Sequence, residues 1–410
     1  MLSLLRNRNY TLIYFGQLFS AIGDQLYAIA LIWLTYRLTG SPTIMALVGA
    51  AEYLPYLIFG LLGGVLADRF DRRRLMIVAD LVRMLAVGLV PLLYYTDLLQ
   101  VWHLPAVALI QASASAFFTP ARATMMVNIL PEADFQRGSA AYSATIRTAR
   151  ILGPLVGSLL LKVLSTETFF LLDAASFLVS VLTTLAIRVA VPHQSQDPGE
   201  PWLASLVRAA RRFGANRTLA LSLTGNGLGM AVWTGLYSLG MVLLAEQQIG
   251  GGEATYAMLA TAYGVGNVLS NLIVGNMKVA NRTTWIFGGW LFFAAGFLAL
   301  GLTSNLYVGL VAIAFASMGA PVTDLAMALK IRSEVAQDDL GKAHALWYTG
   351  SYGGSAIGVM VFGPLFEQVD LVSGFALGAA FLALLGLTGV FGVARGEPAP
   401  HKAGEAVGRS

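Results

Sequence analysis

Long apolar runs alternate with short clusters of charge along this chain, and the run lengths set the first constraint. A helix that crosses a bilayer needs about 20 mostly apolar residues. Cutting at charge clusters and at Pro/Gly breaks gives twelve such runs: about 11–36, 43–66, 75–96, 102–129, 138–164, 168–190, 218–245, 254–276, 284–303, 306–331, 342–366 and 371–394. The pattern predicts an all-α integral membrane protein with twelve transmembrane helices. The first run follows two arginines, as a secretory signal would, but continues through Leu34 without a small-residue cleavage site, so it reads as a retained span.

The middle of the chain breaks this rhythm. VPHQSQDPGEPWLASLVRAARRFGANR, Val191 to Arg217, holds proline, glycine and polar residues and then a short basic amphipathic helix. WLASLVRAARRF would lay Trp202, Leu203, Leu206 and Val207 on the membrane and turn its arginines toward anionic headgroups. The chain therefore divides into an N-terminal six-helix half (1–190), a cytoplasmic linker (191–217), a C-terminal six-helix half (218–394) and a cytoplasmic tail (395–410). The halves also repeat. Residues 132–154 align with 336–359 at an offset that puts Asp134 on Asp339, Arg137 on Lys342 and Tyr142 on Trp347. Pro120 and Pro321 sit late in the fourth span of each half. The parallel order predicts two pseudo-symmetric halves related by an axis along the membrane normal.

Composition agrees with a bilayer as solvent. The chain is 57% hydrophobic and 12% charged, against about 45–50% and about 25% in soluble domains. With no cysteine, disulfides, thiolate metal sites and cysteine nucleophiles are excluded. The net charge of +4 is too small to imply a nucleic-acid partner. Its distribution is more informative. With the N-terminus inside, twenty of the 26 Lys and Arg fall on inner segments and only Arg37 and Lys162 on outer loops, with Arg83, Arg122, Arg147 and Arg150 inside spans. The positive-inside rule then places both termini in the cytoplasm.

Charge inside a span costs at least about 2.5–3.5 kcal/mol on insertion scales, so each such group is a functional candidate. Asp24 lies near the middle of the first span, after Gly23 and two turns beyond Gln17. Glu52 lies in the outer half of the second span. A carboxyl in apolar surroundings can take up and release a proton near neutral pH, which makes Asp24 and Glu52 the proton-coupling candidates. Arg147 and Arg150 are three apart on the fifth span and share a face. They read as counter-ions to those carboxylates, as ligands for an anionic substrate, or as structural partners. Asp80 and Arg83 read as a structural pair that steadies the charged loop, and Asp173 and Arg122 as helix-end or latch partners rather than substrate ligands. The aromatic set Trp233, Tyr237, Tyr263, Trp347, Tyr348 and Tyr352, with Gln17, suits a cavity for a large apolar ligand or, equally, ordinary packing.

The stretch GGVLADRFDRRRL, Gly63 to Leu75, concentrates what the rest of the chain avoids: six of seven residues from Asp68 to Arg74 are charged. Charge alone leaves two readings, a positive-inside anchor loop or a latch in which Asp68 accepts from a helix N-terminus of the other half. Gly64-Val-Leu-Ala-Asp68-Arg69-Phe-Asp-Arg72-Arg73 resembles the G-x-x-x-D-R-x-x-R-R signature of the major facilitator superfamily, which lies between its second and third helices. Gly153-Pro154-Leu-Val-Gly157 resembles the G-P-x-x-G core of the antiporter motif of its drug exporters, with Ala149 where that motif has an upstream glycine. Ala116-Phe-Phe-Thr-Pro-Ala121 and Asp173-Ala-Ala-Ser-Phe177 are similar to the branch holding macrolide-efflux and enterobactin-exporter proteins. In the second half the loop signature decays to Gly275-Asn-Met-Lys278-Val-Ala-Asn-Arg282, without its aspartate.

The resemblance covers nearly the whole chain. It implies the major facilitator fold and a secondary active transporter in the bacterial inner membrane, exporting a hydrophobic or amphipathic small molecule (drug, macrolide or siderophore class). It implies proton antiport with alternating access, and Gly64, Asp68, Arg69, Arg72 and Arg73 as a latch meeting the eleventh span near Gly341 and Lys342. Partners are then the small-molecule substrate and the lipid bilayer, with no nucleic acid and the monomer as working unit. No cofactor is expected beyond protons as coupling ion, and no metal. Ser20-Ala-Ile-Gly23-Asp24-Gln25 distantly resembles the metal-binding helix of ferroportins, which keeps a divalent metal exporter as an alternative. Four histidines and no cysteine argue against it. The chain has no nucleotide-binding loop and no paired-carboxylate, metal-cluster or nucleophile signature of a membrane enzyme. A transport-dead scaffold or sensor is the alternative of a different class.

Overall fold

The computed structural model describes residues 4–69, 71–161, 163–188, 202–277, 279 and 281–393. All regular structure among them is helical. The first half comprises α1 (Arg8–Thr39), α2 (Pro42–Arg69), α3 (Arg72–Tyr95), α4 (His103–Ile129), α5 (Glu132–Leu160) and α6 (Thr166–Ala186). A connecting helix, α7 (Trp202–Ala215), precedes the second half. There α8 (Arg217–Thr234) runs on through a π-helical turn (Gly235–Gly240), α9 (Met241–Leu243) and a second π turn (Leu244–Gln248). It is followed by α10 (Gly252–Val274), α11 (Arg282–Gly301), α12 (Leu306–Ser317), α13 (Gly319–Glu334), α14 (Leu340–Gln368) and α15 (Leu371–Thr388).

Among the described residues, ten helices or helix runs are long and apolar enough to cross a membrane. The other two expected spans coincide with α5 and α14, each 29 residues long but richer in polar groups. Their position explains that composition. α5 packs on α10 and α14 on α2, so both lie where the two halves meet rather than wholly against lipid.

The packing repeats between halves. α1 packs on α5 and α6, α2 on α4, and α3 on α4 and α6. Correspondingly, α8 packs on α14 and α15, α10 on α12, and α11 on α12, α13 and α15. The two cross-half pairs, α2 with α14 and α5 with α10, exchange under the same correspondence. The chain therefore forms two pseudo-symmetric helical halves.

Helix ends are fixed by short polar side chains. Asn7 accepts from the backbone N–H of Asn9 and Tyr10 at the start of α1, and Gly40, at φ 61°, closes its end in the left-handed conformation. Asp71 accepts from the Arg74 N–H, so one charge of the 68–74 cluster serves as the cap of α3. Asn216, Asn281, Asn305 and Asp370 do the same for α8, α11, α12 and α15. Each such cap contributes about 1 kcal/mol.

Three expectations are corrected. The run 306–331 is two helices, broken at Met318. Pro321, in the first turn of α13, has no N–H to continue the ladder back to Ser317. The fifth helix begins at Glu132, six residues before its apolar run, because the polar segment 132–137 continues the same helix. Finally, α7 is seated on protein: it packs against α8 and α14, burying Ala209 and Phe213. Val207 stays exposed, and the side chains of Trp202, Leu203 and Leu206 lie outside the described residues. Arg212 reaches Asp339 at 2.6 Å rather than facing headgroups.

Lys342 and then Arg212 hold the Asp339 carboxyl below the usual carboxylate range. A depressed folded-state value means the contact is present above the unfolded value, about 3.9, and is lost as pH falls through the folded one. The mobility of a spin label on α7 should therefore be flat across neutral pH and rise only in acid below that value. Arg212→Ala should raise it at all pH values. Equal mobility in that variant would show that α7 is held by its apolar face alone.

Candidate functional site

The site begins with two consecutive residues of α1. A Cβ at Gly23 would lie 2.5 Å from Asp173 Oδ1 and from Ser176 Oγ, so only glycine lets α6 approach there. The next residue, Asp24, is 35% exposed and accepts from Arg83 Nη2 at 2.7 Å. Arg83 Nη1 donates to Asp80 Oδ1 at 3.1 Å, one turn back on α3. The guanidinium also lies 3.9 Å from the ring centre of Phe177 and 5.6 Å from that of Phe118, where a cation meets the negative faces of the rings. Asp80 and Asp173 are fully buried. Glu52 of α2 is half-buried and within electrostatic reach of Asp24. Three helices thus bring carboxyls around Arg83, and α2 places Glu52 near Asp24.

Asp24 takes a counter-ion from α3; the side chains of Arg147 and Arg150 lie outside the described residues. The Asp80–Arg83 pair is real, but the other arm of Arg83 serves Asp24, so the pair belongs to the site. Asp173 is no helix-end group. It sits two turns into α6 with Ser176 Oγ donating to its Oδ1 at 3.2 Å. Arg122 lies 4.4 Å over the ring of Tyr142. Asp173 was visible as an ionisable residue inside an apolar run; its meeting with Asp24 is a three-dimensional fact.

The antiporter-like segment seats α5 beside Asp24. A Cβ on Gly153 would collide with the side chain of Gln25, and Gly157 faces Leu26 and Ile29. Pro154 lies between them within α5. The aromatic candidates separate into groups. Trp233 and Tyr237 stack at 4.9 Å with Tyr263 4.7 Å from Tyr237, all half-buried. Tyr352 of α14 stacks on Tyr56 of α2 at 4.6 Å and 9°, across the two halves. Two candidates are withdrawn from the interface. Gln17 is buried and donates to Ser180 Oγ at 3.1 Å, and Trp347 is buried, stacked with Tyr348 of its own helix. Among the described residues no three His, Asp or Glu side chains are grouped as metal ligands.

Of the charged loop, the side chains of Gly64, Asp68 and Arg69 lie outside the described residues. Arg73 donates Nε to the Thr184 carbonyl at 3.1 Å and Nη2 to that of Leu185, neutralising the C-terminus of α6 in its own half. Arg72 is buried. At the expected docking point a Cβ on Gly341 would meet nothing within 4 Å, and Lys342 Nζ lies 2.7 Å from Asp339.

The opposite end of the bundle is clasped across the halves. Arg37, at the end of α1, pairs with Glu167 at the start of α6 and with Glu253 of α10 at 3.4 Å. Thr166 donates to Glu253. Glu367 of α14 accepts from Ser41 Oγ at 2.5 Å and from the Thr43 N–H at 3.1 Å. Gln247 Nε2 donates to Tyr36 at 3.1 Å. These cross-half bonds all lie at one end, beside a cleft of about 500 Å³ between Trp33 and Tyr36 on one half and Glu246 and Glu253 on the other. Sequence reasoning left Arg37 as an outer-loop cation, since one sequence carries no sign of its partners.

Two repeated helical halves in a membrane, with ionisable groups buried between helices, are the architecture of a secondary transporter. A family model described as transmembrane secretion effector matches residues 1–398, and the chain belongs to that family of the major facilitator superfamily. It is 25% identical over 394 residues to the uncharacterized MFS-type transporter YfiS of Bacillus subtilis, covering 92% of this chain and 91% of that one. It is 33% identical over 199 residues to the multidrug efflux pump Tap of Mycobacterium tuberculosis, 46% of each chain. Macrolide efflux protein A of Streptococcus pyogenes is 26% identical over 267 residues, 64% of this chain and 65% of that one. Among solved structures, a bacterial homolog of the lysosomal transporter Spinster, inward-facing and unoccupied, matches with a TM-score of 0.70 at 17% identity, covering 95% and 97%. The peptide transporter PepTSo matches with a TM-score of 0.75 at 12% identity, covering 95% and 98%. The protein is a multi-pass membrane transporter, not an enzyme.

Arg37 is 42% exposed, and an exposed ion pair contributes only about 0–1 kcal/mol. Glu253→Gln alone should therefore widen the clasped end little. Combined with Glu367→Ala it should shift the closed-to-open ratio by about tenfold, the effect of roughly 1.4 kcal/mol. Distances between spin labels at the neighbouring ends of α5 and α10 read this directly. An unchanged distribution in the double variant would reduce the clasp to incidental surface pairing.

Proposed function

We propose that the protein exports a hydrophobic or amphipathic small molecule by proton antiport, with its two halves alternating access to a site between them. It is a reading for the bacterial inner membrane with both termini cytoplasmic and the monomer as working unit. In that orientation the Arg37 clasp closes the outer end, so the conformation described is one that faces the cytoplasm. The relatives named for multidrug and macrolide efflux support an exported substrate of drug or macrolide class. The half-buried rings of Trp233, Tyr237, Tyr263, Tyr56 and Tyr352 offer flat apolar faces for it.

The observation that carries the reading is the bond between Asp24 and Arg83. Asp24 is the partly exposed carboxyl of an ion pair whose arginine is buried. A proton arriving on it removes the charge that holds Arg83, and the energy of an inner pair changes accordingly. Protonation therefore alters how α1 and α3 hold together, and a substrate entering the interface competes for the same carboxyl. Glu52 is the second coupling candidate, and Arg147 and Arg150, on the facing helix α5, are its proposed counter-ions. Closing the inner end would bring Asp68, with Gly64, Arg69 and Arg72 around it, to the N-terminus of α14. A carboxylate there contributes about 0.3–1 kcal/mol exposed and up to about 2 when partly buried.

Reconstituted protein loaded with a panel of amphipathic drugs should efflux some of them under an imposed pH gradient and stop when a protonophore collapses it. Asp24→Asn should abolish the gradient-driven component while leaving substrate binding measurable. Gradient dependence that survives in Asp24→Asn moves coupling to Glu52, tested by Glu52→Gln. Wild-type efflux indifferent to the protonophore would rule out antiport.

A further inference from the structure

The first half encloses more carboxyls than its central arginine can hold. Arg83 spends one arm on Asp24 at 2.7 Å and the other on Asp80 at 3.1 Å. Asp173, fully buried beside them, has only the Ser176 hydroxyl on Oδ1, and its Oδ2 has no partner. The helices packed on α6 are α1 and α3. From α1 the groups facing Asp173 are Asp24 and Tyr27, and from α3 they are Asp80 and Arg83. One cation therefore faces three aspartates in an apolar surround. A bare carboxylate in such a place is too costly to persist, and the group takes a proton instead. Because both arms of Arg83 are engaged by the other two, Asp173 is the aspartate left to carry it.

We propose that Asp173 stores a proton in this conformation, and that Arg83 passes from Asp24 to Asp173 when that proton moves to Asp24. The proposal rests on the antiport reading and adds a second protonation site to it. The step balances. Asp173 loses its proton and becomes the carboxylate that Arg83 holds, while Asp24 gains the proton and becomes the neutral acid that Arg83 leaves. The number of buried charges is the same before and after, so the transfer creates no unpaired ion inside the half.

Geometry allows the exchange. Arg83 rests 3.9 Å from the centre of the Phe177 ring, one turn beyond Asp173 on the same face of α6. The guanidinium can slide along that ring toward Asp173 without giving up the face. Its Nε is also without a partner, so no bond tethers the base of the group. Gly23 keeps the backbone next to Asp24 against the Asp173 carboxyl. Asp24, at 35% exposure, is the partly exposed member of the set.

The test is infrared spectroscopy on the full chain in liposomes, following the carbonyl stretch of protonated carboxyls in H2O and D2O at neutral pH. Wild-type protein should show a buried protonated-carboxyl band that is lost in Asp173→Asn, and lost also in Asp24→Asn, where the neutral side chain releases Arg83 to an ionised Asp173. Should Asp173→Asn fail to insert, Asp80→Asn serves instead: it frees one arm of Arg83 for Asp173, which then ionises, and the band should again be lost. Gradient-driven efflux should fall at least tenfold in Asp173→Asn with drug binding retained. Wild-type protein without such a band also overturns the proposal. A band lost in Asp173→Asn supports the stored proton even if the wild type proves not to be an antiporter. A band that survives both Asp173→Asn and Asp80→Asn overturns the proposal while leaving antiport intact.

Discussion

A single guanidinium governs the first half of this transporter. Inside a bilayer an unpaired charge is not tolerated, and removing one partner of a buried pair costs about 3–5 kcal/mol. Arg83 therefore dictates what surrounds it: Asp80 on its own helix, Asp24 across from α1, and the Phe177 ring of α6 beneath it. Those contacts join α1 and α3, each of which packs on α6. Gly23 is required because the carboxyl of Asp173 occupies the space a side chain would need. The chemistry and the packing are one arrangement, and a change in the protonation of any aspartate in it is felt by three helices.

The second constraint is that the halves must adhere without fusing. Their contacts are of two kinds. Near the middle, aromatic surfaces meet, as where Tyr56 stacks on Tyr352. At the end holding Arg37, Glu167, Glu253 and Glu367, the bonds are polar and partly exposed. Exposed pairs are individually weak, which suits a clasp that opens and closes in each cycle. The second half has its own buried cation. Lys330, fully buried, is bonded to Thr218, Thr283 and Glu334 and ties α8, α11 and α13 together near their ends.

Much of the fold was legible because a bilayer constrains sequence so strongly. Run length and charge placement gave the helices, and the parallel order of the halves gave their relation. The break at Met318 was missed because Pro321 falls within an unbroken apolar run, where hydropathy is blind to the lost N–H. The amphipathic pattern of α7 read as a membrane surface because burying an apolar face on protein or on lipid leaves the same signature. At the site, Asp24 announced itself by depth. Its partner did not: Arg83 and Asp24 are 59 residues apart, and the i,i+3 spacing with Asp80 offered a complete local explanation. Arg37 was counted only as a charge on an outer loop, since its two glutamates come from α6 and α10.

The central claim is that Arg83 is the shared counter-ion of Asp24 and Asp80, and it can be tested by thermal unfolding of the protein in lipid. The set is Arg83→Leu, Asp24→Asn with Asp80→Asn, and all three substitutions together. Coupled buried charges give interaction energies of about 0.5–3 kcal/mol. The account predicts that Arg83→Leu is strongly destabilising and that neutralising both aspartates restores most of the loss. Additive effects, with the triple variant as unstable as the sum of its parts, would show that these charges do not depend on one another.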